Sequence, residues 1–252
     1  MQKKVVILGG SSGIGYAIAE RFAAEGCAVF ITGLGMDSSQ QSQILANLKG
    51  SNHNYLNLDA RKTEDITALE SSVKAAFGSF DVLINSIGIA HSAHTIESDF
   101  DHWDNAIQIM LYGTVKTSRV LVPLLNSGGR IITITSIHNS RVAHGSSAYG
   151  MSKAAIMQYT RAMANELAPK GILVNSIAPG FVETPTSIKA DGKNELESEW
   201  FIENYVKNAH LPLKRAAQPK EIAGVAWFLA GPDASYITGS EILVDGGLLT
   251  TF

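Results

Sequence analysis

A single cysteine, Cys27, stands in this 252-residue chain, so no internal disulfide can form and no thiol pair exists to hold zinc or run redox exchange. It reads as a small packing residue. Excess charge of one sign is equally scarce: 20 Lys and Arg against 23 Asp and Glu leave a net charge of −3, with a pI near 6.2. Neither nucleic acid nor an anionic membrane finds a general basic field. Long apolar runs are absent too, and none approaches the ~18 residues of a membrane span. The opening Met1-Gln2-Lys3-Lys4 and Val5-Val6-Ile7-Leu8 imitates a secretory start, but the apolar run stops at Gly9-Gly10, too short for a signal core. A cytoplasmic location is the expectation. With 45% apolar and 17% charged residues, residues 1–252 can bury one core without disulfides or metals, and a single domain is expected.

What is present is alternation. Short apolar runs near 4–8, 28–32, 53–58, 80–85, 130–136, 172–177 and 240–244 are separated by helical patterns near 13–26, 38–48, 63–77, 100–125, 147–168 and 219–230. This order predicts βαβ units and a parallel sheet. Runs such as Val82-Leu83-Ile84 and Ile131-Ile132-Thr133-Ile134 do not alternate in polarity, as befits strands covered by helices on both faces. Gly26 and Gly171 sit where helices end, Thr63 precedes a helical run, and Pro219 suits a first turn. No internal repeat or low-complexity linker interrupts the pattern. The polar stretch Glu183 to His210, which contains Trp200, Phe201 and Tyr205, reads either as a surface helical insertion or as a substrate lid.

The first predicted strand runs into Gly9-Gly10-Ser11-Ser12-Gly13-Ile14-Gly15 and then an Ala-rich helix. At such a junction a backbone without side chains can approach a pyrophosphate, and the helix N-terminus offers unpaired N–H groups and a positive dipole end. The turn is therefore a candidate dinucleotide phosphate site. Tyr-x-x-x-Lys, which puts a phenol and an ammonium on one helix face, occurs twice, as Tyr112…Lys116 and Tyr149…Lys153. Only the second has a partner: Ser136 lies thirteen residues upstream, at the end of a strand whose C-terminal mouth is where parallel sheets bind ligands. Tyr112 reads as packing or subunit contact.

This constellation suits carbonyl reduction or its reverse. Hydride arriving at a carbonyl carbon builds negative charge on oxygen, which needs a hydrogen bond and a proton. Tyr149 would carry the proton and Ser136 would give a second hydrogen bond. A nearby Lys153 cation is expected to favour the phenolate and lower its pKa.

The order and spacing of these motifs resemble the short-chain dehydrogenase/reductase family over essentially the whole chain. Gly9-x3-Gly13-x-Gly15 resembles its glycine turn, with Leu8 where the family usually has Thr. Asp59 looks like its adenine-contacting Asp, with Ala60 beside it. Asn85-Ser86-Ile87-Gly88 resembles its Asn-Asn-Ala-Gly segment, and Pro179-Gly180-Phe181-Val182-Glu183-Thr184 its nicotinamide loop. Tyr236-Ile237-Thr238-Gly239 and Val244-Asp245-Gly246-Gly247 resemble its C-terminal signature. The resemblance implies a single doubly wound, Rossmann-type α/β domain with a seven-stranded parallel sheet, catalysis by Ser136, Tyr149 and Lys153, and frequent homotetramers. It also implies a nicotinamide cofactor held by Gly9, Ser11, Ser12, Gly13, Ile14, Gly15, Gly33, Leu34, Asp59, Ala60, Asn85, Gly88, Tyr149, Lys153, Pro179, Gly180, Val182 and Thr184.

Departures from the pattern sharpen the reading. The family's helix Asn falls on Met110, which lacks the amide's hydrogen bonds but keeps the backbone carbonyl. Ser86-Ile87 replaces Asn-Ala, putting a larger residue near the cofactor. At the end of the second strand, Gly33 and Leu34 replace both the Asp of NAD users and the Arg of NADP users, and Ser12 is not basic. A dianionic 2′-phosphate needs charge-assisted partners, so NAD is expected over NADP. His91, His94, His138 and His144 follow strands on the same side without metal-ligand spacing, and no metal is expected. The expected substrate is a small or medium polar secondary alcohol or ketone. A 3-oxoacyl thioester is the alternative, as is a cofactor-binding regulator that lost its chemistry.

Overall fold

The computed structural model describes residues 2–188 and 191–251. The first residue of the signal-like start and positions 189 and 190 of the expected insertion lie outside the described residues.

Seven parallel strands form one sheet: β1 (Lys4–Leu8), β2 (Ala28–Gly33), β3 (Asn54–Asn57), β4 (Phe80–Asn85), β5 (Leu125–Ile134), β6 (Leu173–Pro179) and β7 (Glu241–Val244), in the order β3-β2-β1-β4-β5-β6-β7. The helices are α1 (Gly13–Ala24), α2 (Ser38–Ala46), α3 (Thr63–Phe77), α4 (Phe100–Ala106), α5 (Gly113–Leu121), α6 (Ser147–Leu167), a single turn α7 (Glu199–Phe201) and α8 (Pro219–Ala230). They cover both faces. On one, Ile18, Phe22, Ile222, Ala226 and Leu229 of α1 and α8 pack over Val5, Ile7, Val29 and Ile31, and Cys27 joins this cluster. On the other, Leu69, Val73, Leu121 and Met163 from α3, α5 and α6 meet Val6, Leu8, Leu83, Ile131 and Val174. Strands buried on both sides have no reason to alternate, which is why the central runs are apolar throughout.

Chain order reverses between β1 and β4, the kind of switch point at whose C-terminal strand ends open parallel sheets bind ligands.

Three local readings are corrected. The fifth strand begins at Leu125 rather than near 130 and ends at Ile134, so Ser136 lies beyond it, capping the short 3₁₀ turn Ile137–Asn139. The helix expected over 100–125 is continuous but not uniformly α: α4 passes into a π-helical turn, Ile107–Tyr112, before α5, and ends in the 3₁₀ turn Val122–Leu124. Thr63 begins α3 rather than preceding it, and Lys62 takes the cap position.

Candidate active site

At the first strand-to-helix turn, the missing side chains let two backbone segments cross. A Cβ built on Gly15 would lie 2.1 Å from the Gly9 carbonyl oxygen, and one on Gly9 would lie 2.6 Å from the Ser86 carbonyl oxygen after β4. Larger residues cannot keep this packing. The substitution of Leu8 for the family's Thr is answered from β2: Thr32 Oγ1 accepts from the Gly9 N–H at 3.2 Å, while its carbonyl accepts from Gly10 N–H at 2.8 Å. Ser12 occupies the cap of α1 without a side-chain hydrogen bond to it, so the first N–H groups remain for an anion. Thr184, on the loop after β6, faces Gly13 at a distance that a Cβ there would reduce to 3.4 Å. The glycine turn and the 179–184 loop therefore meet at the C-terminal mouth of the sheet.

The remaining expected cofactor residues divide. Gly88 follows β4 at the same mouth, with a Cβ built there lying 3.8 Å from Lys153 Nζ. Pro179 ends β6, Gly180 packs on Asp245, and Val182 pairs with Ala217. Leu34 is exposed, Gly33 is buried, and Ala60 packs beneath Gly113. Asp59 is buried, and both of its oxygens are held by Arg61, at 2.9 and 2.7 Å. The Arg61 hydrogen bond holds this carboxyl below the usual range. Asn85 is turned into the core, its amide donating to Ser118 Oγ at 3.2 Å, so a role toward a ligand falls to its backbone.

The candidate proton-handling groups come together. Ser136, Tyr149 and His138 line a cleft of about 310 Å³ with Ile89, His91 and Phe181. The Ser136 hydroxyl lies close enough to the phenol to lower its pKa. Lys153, one turn along α6, is buried with Nζ donating to the Ile134 carbonyl at 3.0 Å and 5.6 Å from the centre of the Tyr149 ring. Tyr112 lies on the neighbouring π-helical turn and is exposed, outside this cleft.

Electrostatics correct one expectation. Burial raises the Tyr149 pKa, and the Ser136 hydroxyl only partly offsets it. Burial also pushes Lys153 down to about 8. The phenol is thus held protonated, because loss of water costs the phenolate more than its neighbours return. His138 stands edge-on to Tyr149, ring centres 5.5 Å apart, and burial lowers its pKa, so its imidazole is neutral near pH 7. His91 stacks on His102, and His94 meets His144, each pair at 4.7 Å. Among the described residues, no three His, Cys, Asp or Glu side chains gather as a metal site requires.

A family model described as enoyl-(acyl carrier protein) reductase matches residues 9–249. An oxidoreductase named YxbG from Bacillus subtilis is 38% identical over 250 residues, covering 98% of this chain and 91% of that protein. A crystal structure described as short-chain dehydrogenase/reductase, glucose/ribitol dehydrogenase, from Brucella melitensis superposes with a TM-score of 0.87 at 33% identity, covering 98% of this chain and 99% of the other. The chain is a short-chain dehydrogenase/reductase. The 3-oxoacyl-[acyl-carrier-protein] reductase FabG of Chlamydia trachomatis is also similar, 33% identical over 251 residues, with 98% of each chain covered. Membership makes this dehydrogenase/reductase a nicotinamide-dependent oxidoreductase, and its glycine crossing and uncapped helix fit the dinucleotide. Sequence reasoning missed two residues that shape the site, Thr32 beneath the glycine turn and Glu241 behind the Ser136 turn. Each acts across the sheet, where linear spacing carries no signal.

Proposed function

We propose that this enzyme interconverts a secondary alcohol and a ketone bearing further polar groups, with Tyr149 giving or taking the hydroxyl proton. The bound nicotinamide ring would supply or accept the hydride. Ser136 hydrogen-bonds the oxygen on which charge develops, and Lys153 backs the phenol from beneath. The observation that carries this reading is the shared cleft of Ser136 and Tyr149 at the same sheet mouth as the glycine turn. Polar substrates are favoured because His91, Ser146 and Thr186 also line the cleft. The Brucella melitensis structure, whose description names glucose and ribitol, points the same way.

A panel of polyols, simple alcohols, ketones and 3-oxoacyl thioesters, followed by absorbance of reduced nicotinamide, tests the reading. Tyr149→Phe should lower kcat by about 10²–10⁴-fold, the span of general acid–base catalysis, while the Kd for the reduced cofactor stays near wild type. Tyr112→Phe should turn over normally. Activity lost in the opposite order would overturn the assignment.

A second reading, 3-oxoacyl thioester reduction, is favoured by the FabG relatives. It requires docking of an acidic carrier, for which a net charge of −3 offers no general attraction. A regulator without chemistry is disfavoured by the assembled Ser136, Tyr149 and Lys153.

The same reading includes NAD(H) as the preferred cofactor, on the lack of a cation at Gly33, Leu34 and Ser12. It takes 183–210 as a substrate lid anchored by Phe201, which packs on Phe181 and Tyr205, with Thr186 reaching the cleft. It places the enzyme in the cytoplasm as a homotetramer, with exposed Phe100, Tyr112 and Met151 suited to subunit contact.

A further inference from the structure

Glu241 begins β7, at the edge of the sheet, where a carboxylate can face water freely. Instead it is half-buried, and three uncharged side chains converge on it. The Thr135 hydroxyl shares its one proton between Oε1, at 2.6 Å, and the Ile177 carbonyl, at 2.9 Å, and Asn139 Nδ2 reaches both carboxylate oxygens, at 2.7 and 2.8 Å. Ser176 Oγ donates to Oε1 at 3.4 Å. Among the described residues, no Lys, Arg or His forms an ion pair with it.

The two strongest contacts bracket the cleft-lining turn. Thr135 precedes Ser136, Asn139 closes the 3₁₀ turn that Ser136 caps, and Ile137 and His138 lie between. The near end is tied to the sheet by Thr135 N–H to the Ile177 carbonyl at 2.8 Å. Beyond it, the backbone bonds close within the turn: Asn139 N–H to Ser136, and Ser140 and Arg141 N–H to Ile137. The grip of Glu241 on Asn139 therefore ties the far end to the sheet.

We propose that Glu241 is a positioning residue: by holding Thr135 and Asn139 together it sets the direction of the Ser136 hydroxyl and the His138 ring. Ser136 Oγ already accepts from His138 N–H at 3.2 Å, so a tilt of the turn swings both cleft groups at once. Misplacement by an ångström can cost about 10²-fold in rate. The inference rests on the reading that Ser136 contacts the reacting oxygen.

Four variants test it: Glu241→Gln, Asn139→Asp, the two combined, and Ser136→Ala. In Glu241→Gln one oxygen remains as the acceptor that Thr135 and Asn139 share, but the other becomes an NH2 donor that faces the Asn139 amide, so one of the two Asn139 contacts is lost. Its kcat with the fastest ketone of the panel should fall about 10–100-fold. Its Kd for NADH, by fluorescence titration, should not move, and the ¹⁵N shifts of the His138 ring should. In the combined variant, the carboxylate introduced at position 139 accepts from the amide introduced at position 241, and kcat should return to within about threefold of wild type. A bond that served only stability would shift the unfolding midpoint without this selective recovery. If Ser136→Ala is inactive but Glu241→Gln keeps wild-type kcat, or if the swap restores stability but not kcat, the positioning role is refuted. If Ser136→Ala keeps full activity, the underlying site assignment is what fails.

Discussion

At Tyr149 two influences oppose each other, withdrawal from water raising the phenol's pKa and the Ser136 hydroxyl lowering it, and the first prevails. In the proposed reaction a protonated phenol beside the ketone would be ready to donate, so this charge state suits the reductive direction. Met110 belongs to the same neighbourhood. Its fully buried side chain packs with Ala106, Ala148 and Ile156 and against Tyr149, on the π-helical turn where the helix opens its regular hydrogen bonding. Asparagine there would enter an apolar enclosure, and an unsatisfied buried amide costs about 1–3 kcal/mol. Met110→Asn should therefore lower stability by roughly that amount and change kcat by less than about tenfold, since the backbone carbonyl at 110 is kept. Urea unfolding and steady-state rates check both halves. A rise in kcat by orders of magnitude would show that the missing amide had limited proton supply.

Among the elements, those with long apolar runs were legible and those shaped by contact across the sheet were not. β1, β4 and the core of β5 announce themselves because strands buried on both faces tolerate little else. The true start of β5 is hidden by Asn126-Ser127-Gly128-Gly129, which reads as a turn yet continues the strand at an irregularity in its pairing with β4. The π turn is hidden because Ile107-Gln108-Ile109-Met110-Leu111-Tyr112 carries no Gly, Pro or other residue that marks a departure from an ordinary helix. The candidate catalytic residues were legible from spacing, whereas the direction of the Tyr149 shift depended on burial, which spacing does not encode. The end of β2 gives this a test. A Cβ on Gly33 would lie 2.2 Å from Tyr55 Oη and 2.5 Å from Ser11 Cβ. Installing the Asp of NAD users there forces the tyrosine and the glycine turn apart. Gly33→Asp should weaken NADH and NADPH alike, by about tenfold or more, equivalent to ~1.4 kcal/mol. Fluorescence titration reads both constants, and tighter NADH binding would show that the pocket accepts the acid.

For the molecule as a whole, one buried cation leaves a mark on stability. Lys153 is enclosed under α6 with a carbonyl as its hydrogen-bond partner, and its pKa of about 8 in the folded protein lies below the ordinary 10.5. Below pH 8 both folded and unfolded chains carry the proton, so the full cost of burying the charge is present. Between pH 8 and 10.5 the folded protein releases the proton while the unfolded chain keeps it, so this residue's contribution to stability rises with pH. The slope is at most about 1.4 kcal/mol per pH unit for one proton. Other groups oppose the rise: burial raises the pKa of Cys27, Tyr149 and Tyr159, and each costs stability once its unfolded counterpart ionises, from near pH 9 for the thiol and 10 for the phenols. Comparison with Lys153→Met cancels these shared contributions. In the cofactor-free protein, the unfolding free energy of wild type minus that of Lys153→Met should be flat from about pH 6 to 7.5 and climb between about 8 and 10. Urea titrations across that range measure it directly. A difference independent of pH would mean that Lys153 keeps its ordinary pKa in the fold, and that water or a rearranged Tyr149 reaches the ammonium.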